Sequence, residues 1–305
     1  MQGLVVRRLL HMAITLFVVS LVVFFMVRLR GDPISVMAPP TFSEEQVARL
    51  REAWGFDKPL IEQYVLFITK AITGDFGQSI QARRPAMELV FERLGNTYLL
   101  ASAAAILGVV IALPLGILSA VKRNSLIDLI SSAFASLGNA MPNFWLGLML
   151  IIIFSVNLRI LPAFGALEPA AIIMPAVTLA VGTAARLSRI TRSSMLEVLN
   201  QDYIRTAYSK GLSDRRVLYQ HALRNALIPI VTVFGLQLGW LLGGSVIVES
   251  VFSWPGLGRL MIESINVRDI TVVQAGLLWF ALSFLVINFV IDLLYVYLDP
   301  RIHYR

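Results

Sequence analysis

Apolar and polar segments alternate along the chain in a pattern that repeats six times. A helix needs about 20 residues to cross the hydrocarbon layer of a membrane, and the length of each apolar segment reaches or approaches this number. The fourth is the shortest, so we expect its helix to continue past Arg186, with that long side chain reaching the membrane interface. The pattern predicts an all-α integral membrane protein. The six predicted spans are Leu9–Leu29, Thr97–Val121, Leu129–Leu158, Ala170–Ala185, Ala226–Val248 and Thr271–Leu298.

The composition supports this prediction, because 57% of the 305 residues are hydrophobic and only 15% are charged, a more apolar balance than a soluble domain needs. The net charge of +7 comes largely from four segments on one side of a six-span arrangement. By the positive-inside rule that side is the cytoplasm, and both termini lie there. Topology thus accounts for the charge, and nucleic-acid binding is not favoured. The segments carry Arg7 with Arg8, Lys122 with Arg123, eight cations against three anions over 186–224, and Arg301 with Arg305.

Few side chains could hold a metal or perform catalysis. The chain has no cysteine, and its three histidines, His11, His221 and His303, do not have the spacing of metal ligands. An HExxH motif is also missing. We therefore expect no metal site and no catalysis within the membrane.

The polar insertion at residues 31–96 is predicted to be helical and to lie outside the cell membrane. Ser43 can cap a helix that runs through Glu52, and Pro59 can begin a second helix that reaches Lys70. Gly74-Asp75-Phe76-Gly77 then predicts a turn. The insertion is either a cap on the membrane surface or a docking surface for an external partner. With it, the chain divides into residues 1–30, 31–96 and 97–305.

Prolines and polar residues inside the predicted spans suggest a lined pathway. Pro114, Pro142 and Pro175 each remove a backbone donor, so each is expected to kink or interrupt its helix. Polar groups are costly in lipid and usually face the interior of a bundle. They either join helices by hydrogen bonds or line a substrate path. The polar candidates are Ser136, Asn139, Asn143 and Gln237, while Gly235, Gly239, Gly243 and Gly244 favour close helix packing.

Charged residues are placed near the ends of the spans. Glu249 lies at the outer end of the fifth and Asp292 towards the inner end of the sixth, so the middle is expected to be uncharged. A carrier driven by protons or ions normally places ionisable groups near the middle of the membrane. The pattern therefore favours an external energy source.

The basic segment at 186–224 is helix-forming but too polar to enter lipid. Gly211 is placed to end a first helix in a left-handed conformation. Ser213 can cap a second helix, with Asp214 in its first turn, that runs towards Pro229. The first helix either rests on anionic lipid or contacts a soluble partner. Its predicted apolar face contains Leu196, Leu199, Tyr203, Ile204, Ala207 and Tyr208.

The run Asp202-Tyr-Ile-Arg-Thr-Ala-Tyr-Ser-Lys-Gly211-Leu, followed by His221-Ala-Leu-Arg-Asn-Ala-Leu-Ile-Pro229, resembles the cytoplasmic EAA loop of ABC-importer permeases. Arg205 stands where the wider pattern has an acidic residue, and Arg224 where it has proline. Both departures agree with the dipeptide, oligopeptide, nickel and glutathione subfamily. Further matching fragments are Gly31-Asp32-Pro33, Gly74-Asp75-Phe76-Gly77, Val251-Phe-Ser-Trp-Pro-Gly-Leu-Gly258 and Asp299-Pro-Arg-Ile.

The resemblance implies a type I ABC-importer permease fold with a small helical extracytoplasmic insertion. It implies one of two homologous permease subunits of a heterodimer in a bacterial or archaeal cytoplasmic membrane. Two ATP-binding subunits would bind ATP and Mg, since this chain has no GxxxxGK[ST] loop and no cofactor of its own. An extracytoplasmic solute-binding protein would deliver the substrate.

The resemblance also assigns roles to residues. Residues 193–225 would form the coupling loop, and its helix would sit in an ATPase groove and transmit closure as a rigid body. Trp254, Pro255 and Arg259 are the candidate docking residues for the binding protein, with Pro255-Gly256 in the order of a type II turn. The predicted ATPase contacts are Asp202, Tyr203, Arg205, Thr206, Ala207, Lys210, Gly211 and Leu212.

The predicted substrate is a di- or oligopeptide, and Ser136, Asn139, Asn143 and Gln237 are the candidate pathway residues. Glutathione or a nickel chelate is the alternative within the same family. A self-contained secondary transporter or channel is the alternative from a different class, and it would move substrate without ATP.

Overall fold

The computed structural model describes residues 2–28, 43–53 and 57–298, and the regular elements in these ranges are helices. The helices are α1 Gln2–Arg28, α2 Glu44–Ala53, α3 Leu60–Ile72, α4 Ala86–Val121, α5 Leu126–Ala140, α6 Asn143–Leu150, α7 Ile173–Leu199, α8 Asp202–Ser209, α9 Asp214–Arg216, α10 Arg224–Val251, α11 Leu257–Asn266 and α12 Ile270–Leu298. A π-helical segment, Ile151–Asn157, extends α6, and a second, Val217–Leu223, joins α9 to α10. A 3-10 turn, Pro169–Ile172, leads into α7.

In the described ranges, five helices are long and apolar enough to cross a membrane. A sixth candidate is the bent pair Leu126–Ala140 and Asn143–Asn157, whose two parts meet at 107°. The prediction of an all-α membrane protein is confirmed, with six spans when the bent pair counts as one. The five unbroken candidates are Val5–Met26, Ala86–Val121, Pro169–Leu199, Asp214–Val251 and Ile270–Leu293.

The bend in the third span lies at Pro142, as predicted. Met141 ends α5 in an extended conformation with ψ 125°, and Pro142 follows with ψ 139° immediately before α6. A proline lacks a backbone donor and disfavours the helical conformation of the residue before it. The chain therefore turns here instead of forming one helix over residues 129–158.

The other two prolines do not interrupt their helices, so an interruption is confirmed only at Pro142, and a kink at the other two stays a prediction. Pro114 lies inside α4, which continues from Ala86 to Val121. Pro175 lies in the first turn of α7, where a backbone N–H has no partner within the helix. The missing donor therefore breaks no helical hydrogen bond of α7.

Two helix boundaries extend beyond the apolar runs. Helix α7 continues past Arg186 to Leu199, as predicted. Helix α4 begins at Ala86, well before the predicted Thr97, because Ala86, Val90 and Leu94 bury one face of its first turns. Several predicted features lie outside the described residues: Leu29, Gly31-Asp32-Pro33, and the tail from Asp299 with Arg301, His303 and Arg305.

The chain divides into two compact units, Met1–Asn96 with Pro255–Val286 and Thr97–Trp254 with Ile287–Arg305. In the first unit, the buried face of α4 packs with α11 and α12. Helix α3 packs on α1, where Tyr64 contacts the rings of Phe17 and Phe24 and hydrogen bonds to Ser20 at 2.8 Å. The three-part division at residues 30 and 96 stays a prediction.

The predicted elements of the insertion are present where the structure describes them. Ser43 caps α2 reciprocally, because its Oγ accepts from the Gln46 N–H at 3.3 Å and its own N–H donates to Gln46 Oε1 at 2.8 Å. Pro59 immediately precedes α3. Gly74 and Gly77 both have positive φ, 78° and 88°, which fits the predicted turn.

The second unit contains two apolar clusters. One joins α4, α6, α7 and α10 through residues such as Leu100, Leu179 and Phe252. The other joins α4, α7, α8 and α10 through residues such as Leu187 and Ile204. We name the second cluster the α8 seat, because it holds that short helix. Helix α10 packs closely on α7. Gly235 and Gly239 of α10 are buried, whereas Gly243 is exposed.

Candidate functional site

Helix α8 is separated from α7 by a break at Asn200 and Gln201. Gln201 adopts an extended conformation with ψ 149°, and the helix resumes at Asp202. The predicted single apolar face is therefore wrong in part, because Leu196 and Leu199 belong to α7. Within α8, Ile204 and Ala207 face inward at 2% and 6% exposure, whereas Tyr203 and Tyr208 are 43% and 46% exposed.

The predicted ATPase contacts fall into two groups. Most lie on the surface of α8 and its C-terminal end, so a soluble protein can reach them. Ala207 is buried and Leu212 is half-buried, and both pack in the α8 seat. The exposed members are Asp202, Tyr203, Arg205, Thr206, Lys210 and Gly211.

Gly211 ends α8 as predicted, with φ +75°. Its N–H donates to the Tyr208 carbonyl at 2.9 Å, and the Leu212 N–H donates to the Ala207 carbonyl at 3.4 Å. These two bonds form a Schellman motif, in which a left-handed residue directs the chain away from the helix end. Space is open around Gly211, so the backbone conformation, and not crowding, favours glycine here.

The second predicted helix begins at Asp214 and continues without a break to Val251. The predicted side-chain cap is wrong, because Ser213 makes no capping hydrogen bond with its hydroxyl and only its carbonyl accepts from Arg216 and Val217. The π-helical turn Val217–Leu223 was not predicted. It buries Val217 and Ala222 against α8 and so completes the α8 seat.

A buried carboxylate locks α7 to α5 near the base of this region. Asp128 is 6% exposed and accepts from Arg192 Nε at 2.7 Å and Nη2 at 2.9 Å. It also accepts from Ser119 Oγ at 2.5 Å and from the Asn124 N–H at 3.0 Å. Four donors to one carboxylate, two of them from a bidentate guanidinium, make a strong connection between three helices. Sequence reasoning did not identify this pair.

Arg186 connects three helices within the second unit. Its Nε donates to Asn139 Oδ1 at 2.9 Å, and its Nη1 donates to Gln237 Oε1 at 3.3 Å. Gln237 lies midway along α10, so polar side chains from two other helices hold the Arg186 guanidinium. That Arg186 reaches the membrane interface, and that the middle of the spans is uncharged, stay predictions. A cation within a spanning helix is costly, about 3 kcal/mol at the bilayer centre on insertion scales, so such a group is expected to have polar partners.

The other two candidate pathway residues are Ser136 on α5 and Asn143 at the start of α6. Ser136 Oγ accepts from Arg189 Nη2 at a long 3.5 Å, one helical turn from the Arg186 contacts. Asn143 is half-buried, and its amide would be 3.5 Å from a methyl group added at Gly244. Ser136, Asn139, Asn143 and Gln237, together with Arg186 and Arg189, are named here the polar track.

A cleft of about 320 Å³ adjoins the polar track. Arg189 and Arg192 line it from α7, and serines line it from α5. Ser131 is 4% exposed and its Oγ has no hydrogen-bond partner, which is unusual for a buried hydroxyl. The cleft serines are Ser119, Ser131, Ser132, Ser136 and Ser188.

The candidate docking residues differ in exposure. Trp254 is 3% exposed and packs within an apolar cluster of its unit. In the other unit, Pro255 is half-buried and its carbonyl accepts from Asn96 Nδ2 at 2.9 Å. Arg259 Nε contacts Glu263 at 2.6 Å. Trp254 is thus buried within its own unit, and a docking role for these three residues stays a prediction.

The turn proposed at Pro255-Gly256 is not of type II. That turn needs a positive φ at Gly256, which instead has φ −98° and precedes α11 in an extended conformation. The positive φ of this segment is at Ser253, 50°.

In the insertion, Arg84 contacts Glu92 at 2.5 Å and Glu88 at 2.6 Å. The hydrogen bond that Arg84 donates to Glu92 contributes most to raising the pKa of Arg84.

Comparison with known sequences decides the family. The family described as binding-protein-dependent transport system inner membrane component matches residues 112–304. The chain belongs to this family. A second family, described as the N-terminal part of binding-protein-dependent transport system membrane components, matches residues 1–101. The predicted resemblance is confirmed, and the chain is a permease component of an ABC importer in the inner membrane, without catalytic activity of its own.

Individual relatives match over the full length. The chain is 43% identical over 306 residues to the glutathione transport system permease protein GsiC of Escherichia coli (strain K12), covering 100% of both chains. The GsiC protein of Shigella dysenteriae serotype 1 (strain Sd197) matches with the same identity and coverage. A self-contained transporter or channel does not fit a permease component of a binding-protein-dependent system.

Solved structures show the fold. An inward-facing structure of the MetNI methionine ABC transporter matches with a TM-score of 0.60 at 22% identity, covering 70% of this chain and 97% of that chain. An amino acid ABC transporter with histidines matches with a TM-score of 0.56 at 19% identity, covering 68% and 93%. These matches confirm the predicted ABC-importer permease fold. In the described ranges, no three His, Asp or Glu side chains cluster as metal ligands.

Proposed function

We propose that this permease forms half of the translocation pathway for short peptides, including glutathione. The observation that carries the proposal is 43% identity along the whole chain to permeases of glutathione transport systems. Glutathione is itself a tripeptide, so both predicted substrate classes share a carboxylate and a peptide backbone. A nickel chelate is the alternative within the family, and the chain offers no cysteine to bind the bare metal.

A second, homologous permease subunit completes the pathway in this proposal. Two ATP-binding subunits hydrolyse ATP on the cytoplasmic side, and a solute-binding protein delivers peptide on the other side. Both termini of this chain are cytoplasmic, because α8 must face the ATPases. The insertion and residues 255–268 are the proposed docking surface for the binding protein, with Arg259 at its edge.

The coupling element is α8. Its exposed residues, such as Tyr203 and Arg205, contact the ATPase, while Ile204 and Ala207 hold the helix in the α8 seat. Because the seat also contains residues of α4, α7 and α10, a push on α8 is transmitted to three spanning helices at once. The Asp128–Arg192 pair then carries the displacement to α5.

Substrate passes along the polar track. Hydrogen bonds from Arg186 orient Asn139 and Gln237, and Ser136 lies one turn away beside Arg189. At Pro142 the chain bends, so that α5 and α6 meet at 107°. In this proposal the bend leaves the polar side chains of this span accessible to a moving ligand.

The test is uptake by the complete importer, reconstituted in liposomes with its second permease, ATPases and binding protein. We expect ATP-dependent uptake of labelled glutathione or a dipeptide and no uptake of a nickel–histidine chelate. Transport by this chain alone without ATP, or uptake of the nickel chelate alone, would contradict the proposal.

A further inference from the structure

Three arginines recur at three-residue spacing along α7, and the structure treats them differently. Arg192 is neutralised by the bidentate contact with Asp128. In the part of the chain that the structure describes, Arg186 and Arg189 have only neutral partners: Asn139, Gln237 and Ser136. Both side chains are exposed. Two cations within a spanning helix thus keep their charge uncompensated.

Neutral partners do not saturate these guanidinium groups. A guanidinium carries five N–H donors, whereas Arg186 makes two hydrogen bonds and Arg189 makes one long one of 3.5 Å. Arg189 lines the cleft between α5 and α7. An exposed, planar, charged group with unused parallel donors is suited to bind a carboxylate at two points.

The cleft offers further donors for the same anion. Ser131 Oγ is buried and has no partner, and Ser132 and Ser136 are exposed and line the same space. A hydroxyl can donate to an anion as readily as accept. The cleft volume of about 320 Å³ accommodates a carboxylate with several attached atoms. The unpartnered Ser131 hydroxyl is explained if an anion supplies its missing hydrogen bond.

We propose that Arg189, with Ser131, Ser132 and Ser136, binds a carboxylate of the transported peptide, and that Arg186 receives the same group one turn further along α7. The inference rests on the proposed function, because it assumes that peptide passes along the polar track. It adds a chemical requirement: a free carboxylate on the substrate is recognised by this permease and not by the binding protein alone.

The direct test labels a cysteine in the cleft of the assembled importer in nanodiscs of neutral phosphatidylcholine. The chain has no cysteine of its own, so Ser132→Cys supplies one defined thiol in it. Reaction rates with a sulfonate-bearing and a trimethylammonium-bearing methanethiosulfonate are compared. Arg189→Gln should lower the anionic-to-cationic rate ratio about fivefold, the effect of removing one nearby charge in a partly hydrated site. The matched control Arg123→Gln removes an exposed arginine outside the cleft and should leave the ratio unchanged.

A second arm uses the substrate. A tripeptide with a free carboxylate should protect the thiol of the Ser132→Cys variant from labelling, and its C-terminal amide should protect several-fold less. Equal protection by acid and amide, or an unchanged rate ratio in Arg189→Gln, overturns the proposal. Protection that appears only when anionic lipid is added, and not with peptide, identifies a lipid headgroup site and also overturns it.

ATP-driven peptide uptake, measured in liposomes from the same preparation, separates the two proposals. Uptake that persists while the labelling results are negative rejects the carboxylate site and leaves the proposed function standing. Absence of any peptide uptake rejects the proposed function, and the carboxylate site with it.

Discussion

The α8 seat and the polar track lie in the same unit of the chain but are built in opposite ways. In the seat, Ile204, Val217 and Leu187 are almost fully buried, and the Schellman motif at Gly211 uses the backbone donors at the helix end. In the track, Arg186 and Arg189 keep donors unused, and Ser131 in the adjoining cleft lacks a partner. This contrast fits the proposed roles, because a region that transmits force benefits from saturated contacts, whereas a region that binds a passing ligand must keep donors available.

Arg192 shows the same contrast at a single position. It stands three residues beyond Arg189 on α7, yet Asp128 neutralises it. The ion pair therefore belongs to the rigid framework, and the two arginines before it belong to the track.

Asp128→Asn should produce the largest effect, because it leaves Arg192 without its counter-charge. Breaking a buried ion pair on one side destabilises by about 3 kcal/mol. We expect a clearly lower unfolding temperature for the purified complex. The control is Glu45→Gln, which removes one side of the exposed Arg49–Glu45 contact and should not shift that temperature measurably. Equal shifts in the two variants would show that Asp128 has no special structural role.

Ile204→Ala should be the next largest change. It removes a side chain that is 2% exposed in the α8 seat, with an expected cost of about 2 kcal/mol. Hydrogen exchange of the α8 amides should accelerate. Tyr203→Ala, on the exposed face, should leave exchange nearly unchanged. If both variants accelerate exchange alike, α8 is not held by one face.

Gly211→Val should cost about 1–2 kcal/mol, because a residue with a Cβ is strained at φ +75°. We expect fewer peptides transported per ATP hydrolysed. Gly211→Asn should retain most coupling, since asparagine tolerates the left-handed conformation. If both substitutions uncouple transport from ATP hydrolysis equally, the effect comes from adding a side chain at this position and not from the left-handed backbone conformation.

Asn139→Ala should have the smallest effect on stability, about 1 kcal/mol, because it removes one hydrogen bond of Arg186. Its effect on peptide uptake should be larger than its effect on unfolding. Alanine can also replace each candidate pathway residue in turn: Ser136, Asn139, Asn143 and Gln237. If peptide uptake is unchanged in all four variants, the polar track does not line the pathway.

The sequence predicts those features that depend on neighbouring residues. The apolar runs indicate the spans, Pro142 indicates the break, and Gly211 indicates the helix stop, because each acts through local backbone geometry. The reciprocal cap between Ser43 and Gln46 is also local. Family motifs extend this reasoning to the coupling loop as a whole.

Features that depend on distant partners were missed. Asp128 and Arg192 are 64 residues apart, and no local pattern pairs them. The buried position of Trp254 likewise follows from packing that a turn motif does not specify. One signal was available for the track: Arg186, Arg189 and Arg192 recur along one side of a helix otherwise apolar enough to span a membrane.

The central claim is that α8 contacts the ATPase, and site-specific cross-linking tests it directly. Tyr203→Cys in the complete importer, treated with a short bifunctional thiol reagent, should cross-link to the ATP-binding subunit with a yield that changes between nucleotide-free and ATP-bound states. Thr69→Cys on the exposed surface of α3 should give no such cross-link. A cross-link to the ATPase from Thr69→Cys, or none from Tyr203→Cys while the complex remains active, would contradict the account.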